Sequence, residues 1–331
     1  MQYLSIMFDR GAKMIEFKMF RSGITKVNTK LLLIKKNLKR DRYLYLLLVP
    51  IIVFFVLFEY KPMYGLQIAF KRYSIFKGIS ESPWIGLEHF RVFFSGPYFM
   101  RTLKNTFILN ILGLLFQFPA PIILALLLNE VRNRHFKRIT QTMTYLPHFI
   151  SAVIVVGIIT NMLSPGTGLV NIIIDMLGGD RIYFLMQPNW FRPIYIGMGI
   201  WVNVGFNSII YIAALASVPV ELYEAAIIDG AGRWKQVWNV TIPSILPVVM
   251  IMLILRLGSL LASDYQTILL LQYDANLSTS DVIMTYVYRS GIQNARYDFA
   301  AAVGIFNSVV ALVLVTLSNI LSKKTTSYGI W

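Results

Sequence analysis

Apolar residues in this chain fall in long blocks rather than in strict alternation. Six blocks of roughly 16–25 residues are nearly free of charge, the length of helix that crosses a hydrocarbon core of about 30 Å. They lie at Tyr43–Phe58, Phe107–Leu128, Leu146–Met162, Ile194–Val218, Ile245–Leu261 and Phe299–Leu321, and none contains Asp or Glu. Polar stretches separate them. Glu59–Arg101 is mixed polar and aromatic, Asn129–Arg138 is short and basic, and residues 163–193 are punctuated by Gly and Pro. Pro219–Pro243 is a polar insert, and residues 264–298 form the last connection. No repeat and no low-complexity tract is present. The pattern predicts an all-α polytopic integral membrane protein with six transmembrane helices. Residues 43–322 form its membrane domain, between a tail at 1–42 and a short C-terminus at 323–331.

Composition agrees. Hydrophobic residues make up 56% of the chain and charged residues 14%, against about 45–50% and 25% in soluble domains. A water-facing surface could not absorb that excess, so a soluble protein is excluded. Charge then sets orientation. Lys and Arg outnumber Asp and Glu 31 to 16, which in such a protein first signals basic cytoplasmic flanks rather than nucleic acid. Residues 1–42 alone hold eleven Lys and Arg, and their apolar stretch Leu31–Ile34 is too short for a signal peptide. With that tail inside, the cytoplasmic segments carry nineteen cationic residues and the outer ones ten. The expected location is the cell membrane, multi-pass, with N- and C-termini cytoplasmic. The first outer segment runs against the rule, with six cations and three Glu, a net charge of +3.

Candidate chemistry is sparse. The chain has no cysteine, and its three histidines lie far apart, without metal-ligand spacing. No phosphate-binding loop is present, since Gly230-Ala231-Gly232-Arg233-Trp234-Lys235 lacks the required glycine pattern and follows no strand. Neither His-Glu-x-x-His nor Gly-x-Ser-x-Gly occurs. The sequence predicts no enzyme.

The insert between the fourth and fifth blocks is the most informative segment. Pro219, Glu221 and Glu224 suit the start of a helix, whose positive end favours carboxylates. Gly230 suits its end, where the backbone turns left-handed. Trp234, Val237 and Trp238 then share one face of a second short helix, and Pro243 stops the pair. Such an amphipathic pair fits docking to a protein or to the headgroup layer.

Glu224-Ala225-Ala226, three residues, Gly230, nine residues, then Val240-Thr241-Ile242-Pro243 resembles the EAA loop of binding-protein-dependent ABC importer permeases. The departures are conservative, at Val240 and Ile242. Trp84–Phe90, Leu127–Arg138, Tyr145–Ser151 and Tyr328–Trp331 also match, and the resemblance covers nearly the whole chain from about Arg40 onward. Together they look like the carbohydrate-uptake branch, similar to polysaccharide and oligosaccharide permeases of the alginate and rhamnogalacturonan type. The resemblance implies a type I importer permease fold and a coupling role for Glu224, Ala225, Ala226, Asp229, Gly230 and Pro243. It also implies partners: a second homologous permease, two ATPase subunits that hold ATP and Mg, and an extracytoplasmic solute-binding protein. Membrane lipid and an oligosaccharide complete the set. The chain itself would bind no cofactor.

Polar residues inside apolar spans are candidates for the solute path. Here they are Gln117, Asn203, Asn207, Arg256 and Asn307. An amide at depth often just bonds a neighbouring helix, for about 0.6 kcal/mol. Arg256 is a sharper signal, because a guanidinium at depth costs at least about 2.5 kcal/mol and requires a partner, a wet cavity or a route to the interface. With the +3 outer segment, it hints at an acidic oligosaccharide. Trp201, Tyr211 and Tyr265 are candidates for stacking on sugar rings. The rival reading is a self-sufficient channel or secondary transporter. Such a protein calls for an intramembrane carboxylate relay or paired half-helices, and the spans offer no carboxylate.

Overall fold

The computed structural model describes residues 40–258 and 264–326. Among these every regular element is helical, and the strand-like contacts are two isolated bridges, Lys71 with Trp84 and Ser74 with Gly78. Most of the basic tail, the end of the fifth apolar block and the terminal Tyr328–Trp331 lie outside the described residues. The chain divides into two compact units, one ending at Leu66 and one beginning at Gln67.

In the first unit, α1 (Arg42–Phe55) is apolar nearly all round after Arg42, as suits a helix bathed in lipid. It runs on through a π-helical turn at Val56–Tyr60, where Pro62 follows closely and removes one backbone donor.

The second unit holds the remaining long helices. A short helix α2 (Glu88–Ser95) precedes α3 (Phe99–Leu112), which continues through a π-turn at Gly113–Gln117 into α4 (Pro119–Glu130). This membrane helix starts well before the expected Phe107. Its first turns are polar, but Thr102, Asn105 and Thr106 are buried against neighbours rather than solvated. Next come α5 (Arg134–Tyr145) and α6 (Ala152–Met162), then α7 (Pro188–Ala216), α8 (Val220–Ile228), α9 (Ile242–Gly258), α10 (Ile283–Tyr288) and α11 (Tyr297–Thr326).

Among the described residues, five helical stretches are long and apolar enough to span a membrane; a sixth candidate is a broken pair. That pair corrects the expectation of one span at Leu146–Met162. Residues Leu146–Phe149 belong to the end of the α5 stretch, which meets α6 at 104°. Pro147 disfavours continuation of the helix, and Ser151 restarts it by capping the Ile154 N–H at 3.5 Å. By itself α6 is only about 16 Å long at 1.5 Å per residue. A second correction concerns Pro243. It does not end the insert, because Arg233–Gly258 is one continuous helix. A π-turn at Val237–Thr241, just before the proline, widens the coil where the proline ring would otherwise press on the carbonyl of Asn239.

Three buried clusters hold the unit together. Leu109, Val156, Phe191, Met198, Ile268 and Val282 form one, and Phe93, Ile283, Phe299 and Val303 a second. The third, Ala125, Tyr211, Leu215 and Ile245, joins α4, α7 and α9. At Gly205 α7 touches α5 so closely that any Cβ would strike the Thr144 carbonyl. Between the first two spans, His89 Nε2 lies 3.0 Å from the Lys71 carbonyl and 3.3 Å from Asp298, which also accepts the Tyr73 N–H at 3.1 Å. Asp298 stands in the first turn of α11, so the Trp84–Phe90 segment is tied to the last span.

Candidate functional site

Where α4, α7 and α9 diverge they leave a cavity of about 770 Å³. Four of the five polar residues singled out inside the spans line it: Gln117, Asn203, Asn207 and Arg256. They come from three helices and are brought together across as many as 139 residues of sequence. Gln117 sits at the end of the π-turn before α4, and that turn re-aims its side chain toward α7 and α9. Its Oε1 accepts from Arg256 Nη2 at 3.2 Å, and its Nε2 donates to the Ile196 carbonyl at 3.4 Å. Among the described residues lining the cavity, Arg256 carries the only formal charge.

On α7, Gly199, Asn203 and Asn207 recur every fourth residue, so all three fall on one stripe facing the cavity. Asn203 Nδ2 donates to the Gly199 carbonyl at 3.1 Å, and its Oδ1 lies 3.2 Å from His148 Nδ1. His148 stacks on Phe206 with ring centroids 3.9 Å apart and planes 6° from parallel. Gly199 has no side chain to occupy the space that the Gln117 amide fills. Tyr211 borders the cavity but is buried in the helix contact, while Trp201 and Tyr265 are not among the lining residues. Asn307 lies apart on α11, where its Nδ2 approaches Met284 Sδ at 3.8 Å and its Oδ1 is buried with no partner among the described residues. The roles of His148 and Phe206 are not legible in the sequence. His148 falls in a segment that carries the family resemblance, but nothing in the sequence pairs it with α7.

The insert forms a hairpin at the other end of α7. Gly230 takes φ +73° and closes α8 with a Schellman turn. The Ala231 N–H reaches the Ala226 carbonyl at 2.8 Å, and the Gly230 N–H reaches the Ile227 carbonyl at 3.0 Å. Gln236 Nε2 bonds the Ala231 carbonyl at 2.8 Å, and the Tyr223 and Thr241 hydroxyls meet at 3.1 Å. The hairpin is therefore ordered by its own contacts. Outward it shows Glu221, Glu224, Ala225 and Asp229, with Leu222, Ile227, Ile228 and Trp234 exposed beside them. Among the described residues no three His, Asp or Glu side chains come together as metal ligands.

Residues 117–326 match the model of a family described as binding-protein-dependent transport system inner membrane component. Protein LplB of Bacillus subtilis (strain 168) is 46% identical over 89% of this chain and 92% of its own length. The polygalacturonan/rhamnogalacturonan transport system permease protein YteP of the same strain is 45% identical over 92% of this chain and 95% of its own. Among solved structures, a chain of a bacterial alginate ABC transporter, crystallised with its alginate pentasaccharide-bound periplasmic protein, superposes with a TM-score of 0.83. It is 48% identical and covers 89% of this chain and 99% of its own.

Proposed function

The chain belongs to the family of binding-protein-dependent transport system inner membrane components, and on that premise we propose that it imports an acidic oligosaccharide. A solute-binding protein would deliver the sugar from outside, and ATP hydrolysed with Mg on two separate ATPase subunits would drive the step. A second, similar permease would complete the membrane pore. The chain is a multi-pass membrane protein of a transport family, and it carries out translocation rather than bond-making chemistry.

The observation that carries the substrate reading is the cavity. Among the described residues that line it, the single formal charge is the Arg256 cation, set beside three amides that can donate to and accept from sugar hydroxyls. A carboxylated sugar brings the anion that such a site favours, and the pectic and alginate polymers named for the relatives are anionic.

The same helix supports a coupling role. Arg233–Gly258 starts in the hairpin and ends at the cavity, so Trp234 and Arg256 stand on one rod. At 1.5 Å per residue the rod is roughly 39 Å long. A push on the hairpin from an ATPase groove would tilt it and move Arg256 relative to Gln117, alternating access to the cavity. In this reading Glu224, Ala225, Ala226, Asp229 and Gly230 meet the ATPase, Pro243 sits where the rod is widened, and the hairpin and both termini face the cytoplasm.

The test is uptake by the complete transporter in proteoliposomes. Radiolabelled trigalacturonate is compared with its carboxyl-reduced, neutral counterpart. The acidic sugar should be taken up faster, and only with ATP and the binding protein present. Transport of neutral sugars alone would overturn the substrate reading, and uptake without the ATPase subunits would favour a channel.

A further inference from the structure

Two guanidinium groups bond one carboxylate at the end of the bundle away from the hairpin, and a third joins them through a shared asparagine. Asp281 is fully buried. Its Oδ2 accepts from Arg101 Nη2 at 2.6 Å, and Arg289 Nη2 lies 3.0 Å from both of its oxygens. Asn105 sits beside them, donating to the Ser278 and Asp281 carbonyls at 3.0 and 3.1 Å. Its Oδ1 accepts from Arg192 Nη2 at 3.0 Å. Arg101 stands at the start of α3, Arg192 near the start of α7, and Asp281 and Arg289 on either side of α10, the short helix that precedes α11. Helices α3, α7 and α11 begin here, whereas the hairpin follows the far end of α7.

The group is not electrically complete. Among these described side chains, one carboxylate is bonded by two cations and a third cation meets only an amide, so the group as a whole carries two positive charges in excess. The Nε atoms of Arg101 and Arg192 are both buried and meet no acceptor among the described residues. A purely structural tie would satisfy its donors, because a buried donor without a partner is costly. Meanwhile the Arg101 and Arg289 side chains remain 34% and 30% exposed. Each guanidinium lies over a tyrosine, Arg101 on Tyr98 at 5.0 Å and Arg289 on Tyr286 at 5.6 Å, and the two rings are 5.8 Å apart. Cations with spare donors next to aromatic faces suit a carboxylate carried on a sugar ring.

This end also leads to the cavity. Gly199, Asn203 and Asn207 stand seven, eleven and fifteen positions after Arg192 on one continuous helix, spacings that keep them on one side of a 3.6-residue turn. Arg192 thus marks the outer end of the stripe that lines the cavity, roughly 16 Å from Asn203 along the axis. We propose that Arg101, Arg192 and Arg289 form an outer station that takes a uronate carboxylate of the incoming oligosaccharide before it reaches Arg256, with Tyr98 and Tyr286 against the sugar ring. The proposal rests on the reading of an acidic substrate given above.

Arg192→Gln is the variant of choice, because its partner Asn105 is neutral and no buried carboxylate is stranded. In the reconstituted transporter it should raise the KM for trigalacturonate about ten- to a hundredfold, with the carboxyl-reduced trisaccharide changed less than about twofold. Arg192→Lys, which keeps the charge, should stay near wild type, and assembly with the ATPase subunits should be normal in both variants. An equal loss for both sugars, or no loss, would overturn the proposal. So would an effect that vanishes when anionic phospholipid is left out of the vesicles, since the anion would then be a lipid phosphate. If the wild-type complex takes up only the neutral sugar, the substrate reading itself falls and this station with it.

Discussion

At the scale of single residues, Arg256 and Gly205 make opposite demands on their surroundings. Arg256 needs a polar partner at depth, and Gln117 supplies an acceptor at 3.2 Å. Arg256→Gln can keep an amide contact with Gln117 while removing the charge. Uptake of an acidic oligosaccharide should therefore fall about tenfold or more, with neutral-sugar uptake and membrane abundance little changed, because a charge-assisted hydrogen bond is worth about 1.5–3 kcal/mol. Gly205 needs space. Gly205→Val would drive a branched side chain into the Thr144 backbone, and overpacking of this kind costs about 1–3 kcal/mol. The detergent-solubilised protein should unfold at a lower temperature, measured by intrinsic fluorescence. An unchanged midpoint would mean that α5 and α7 can part at little cost. Polar letters inside apolar runs were legible in the sequence, since hydrocarbon makes each one costly. Their convergence was not, because Gln117 and Arg256 share no local pattern. The same holds for Arg101 and Asp281, which lie 180 residues apart.

At the scale of elements, length and hydropathy located the spanning helices, and local chemistry decided their ends. The eleven residues of α6 read in the sequence as part of a longer span, because Leu146, Pro147 and Phe149 extend its run without Asp, Glu, Lys or Arg. The proline and the Ser151 cap break the run all the same. The hairpin shows the converse. Glycine at position 230 announced a left-handed turn, and the backbone there has φ +73°. A Cβ at this position would meet nothing within 4 Å, so the penalty for a side chain is conformational alone. Gly230→Val should cost about 1–2 kcal/mol locally and unravel the turn that presents α8, leaving the spans intact. Gly230→Asn, which tolerates this conformation, should retain function. If the hairpin transmits ATPase motion, the valine variant should assemble in the membrane yet lose stimulation of ATP hydrolysis by the loaded binding protein. Glu224→Lys, which reverses an exposed charge, should do the same. Normal stimulation in both would remove the coupling assignment.

At the scale of the whole molecule, orientation decides whether the cavity, the hairpin and the arginine cluster can serve one path. The cluster lies where α3, α7 and α11 begin, and the hairpin lies beyond the end of α7. A helix of 29 residues separates them, about 43 Å at 1.5 Å per residue and more than the hydrocarbon thickness. The two features therefore belong to opposite faces of the membrane. The excess of cationic residues in the tail and in the Asn129–Arg138 connection supports the proposal that the hairpin faces the inside. The chain has no cysteine, so one introduced thiol reports its own side without background. Asn294 and Lys235 are both exposed, and neither is part of the cavity. Asn294→Cys in intact cells should react with a membrane-impermeant maleimide, whereas Lys235→Cys should react only after the membrane is opened. The reverse pattern would place the hairpin outside, out of reach of any cytoplasmic ATPase. It would also turn the arginine cluster inward, so that it could no longer meet an arriving sugar.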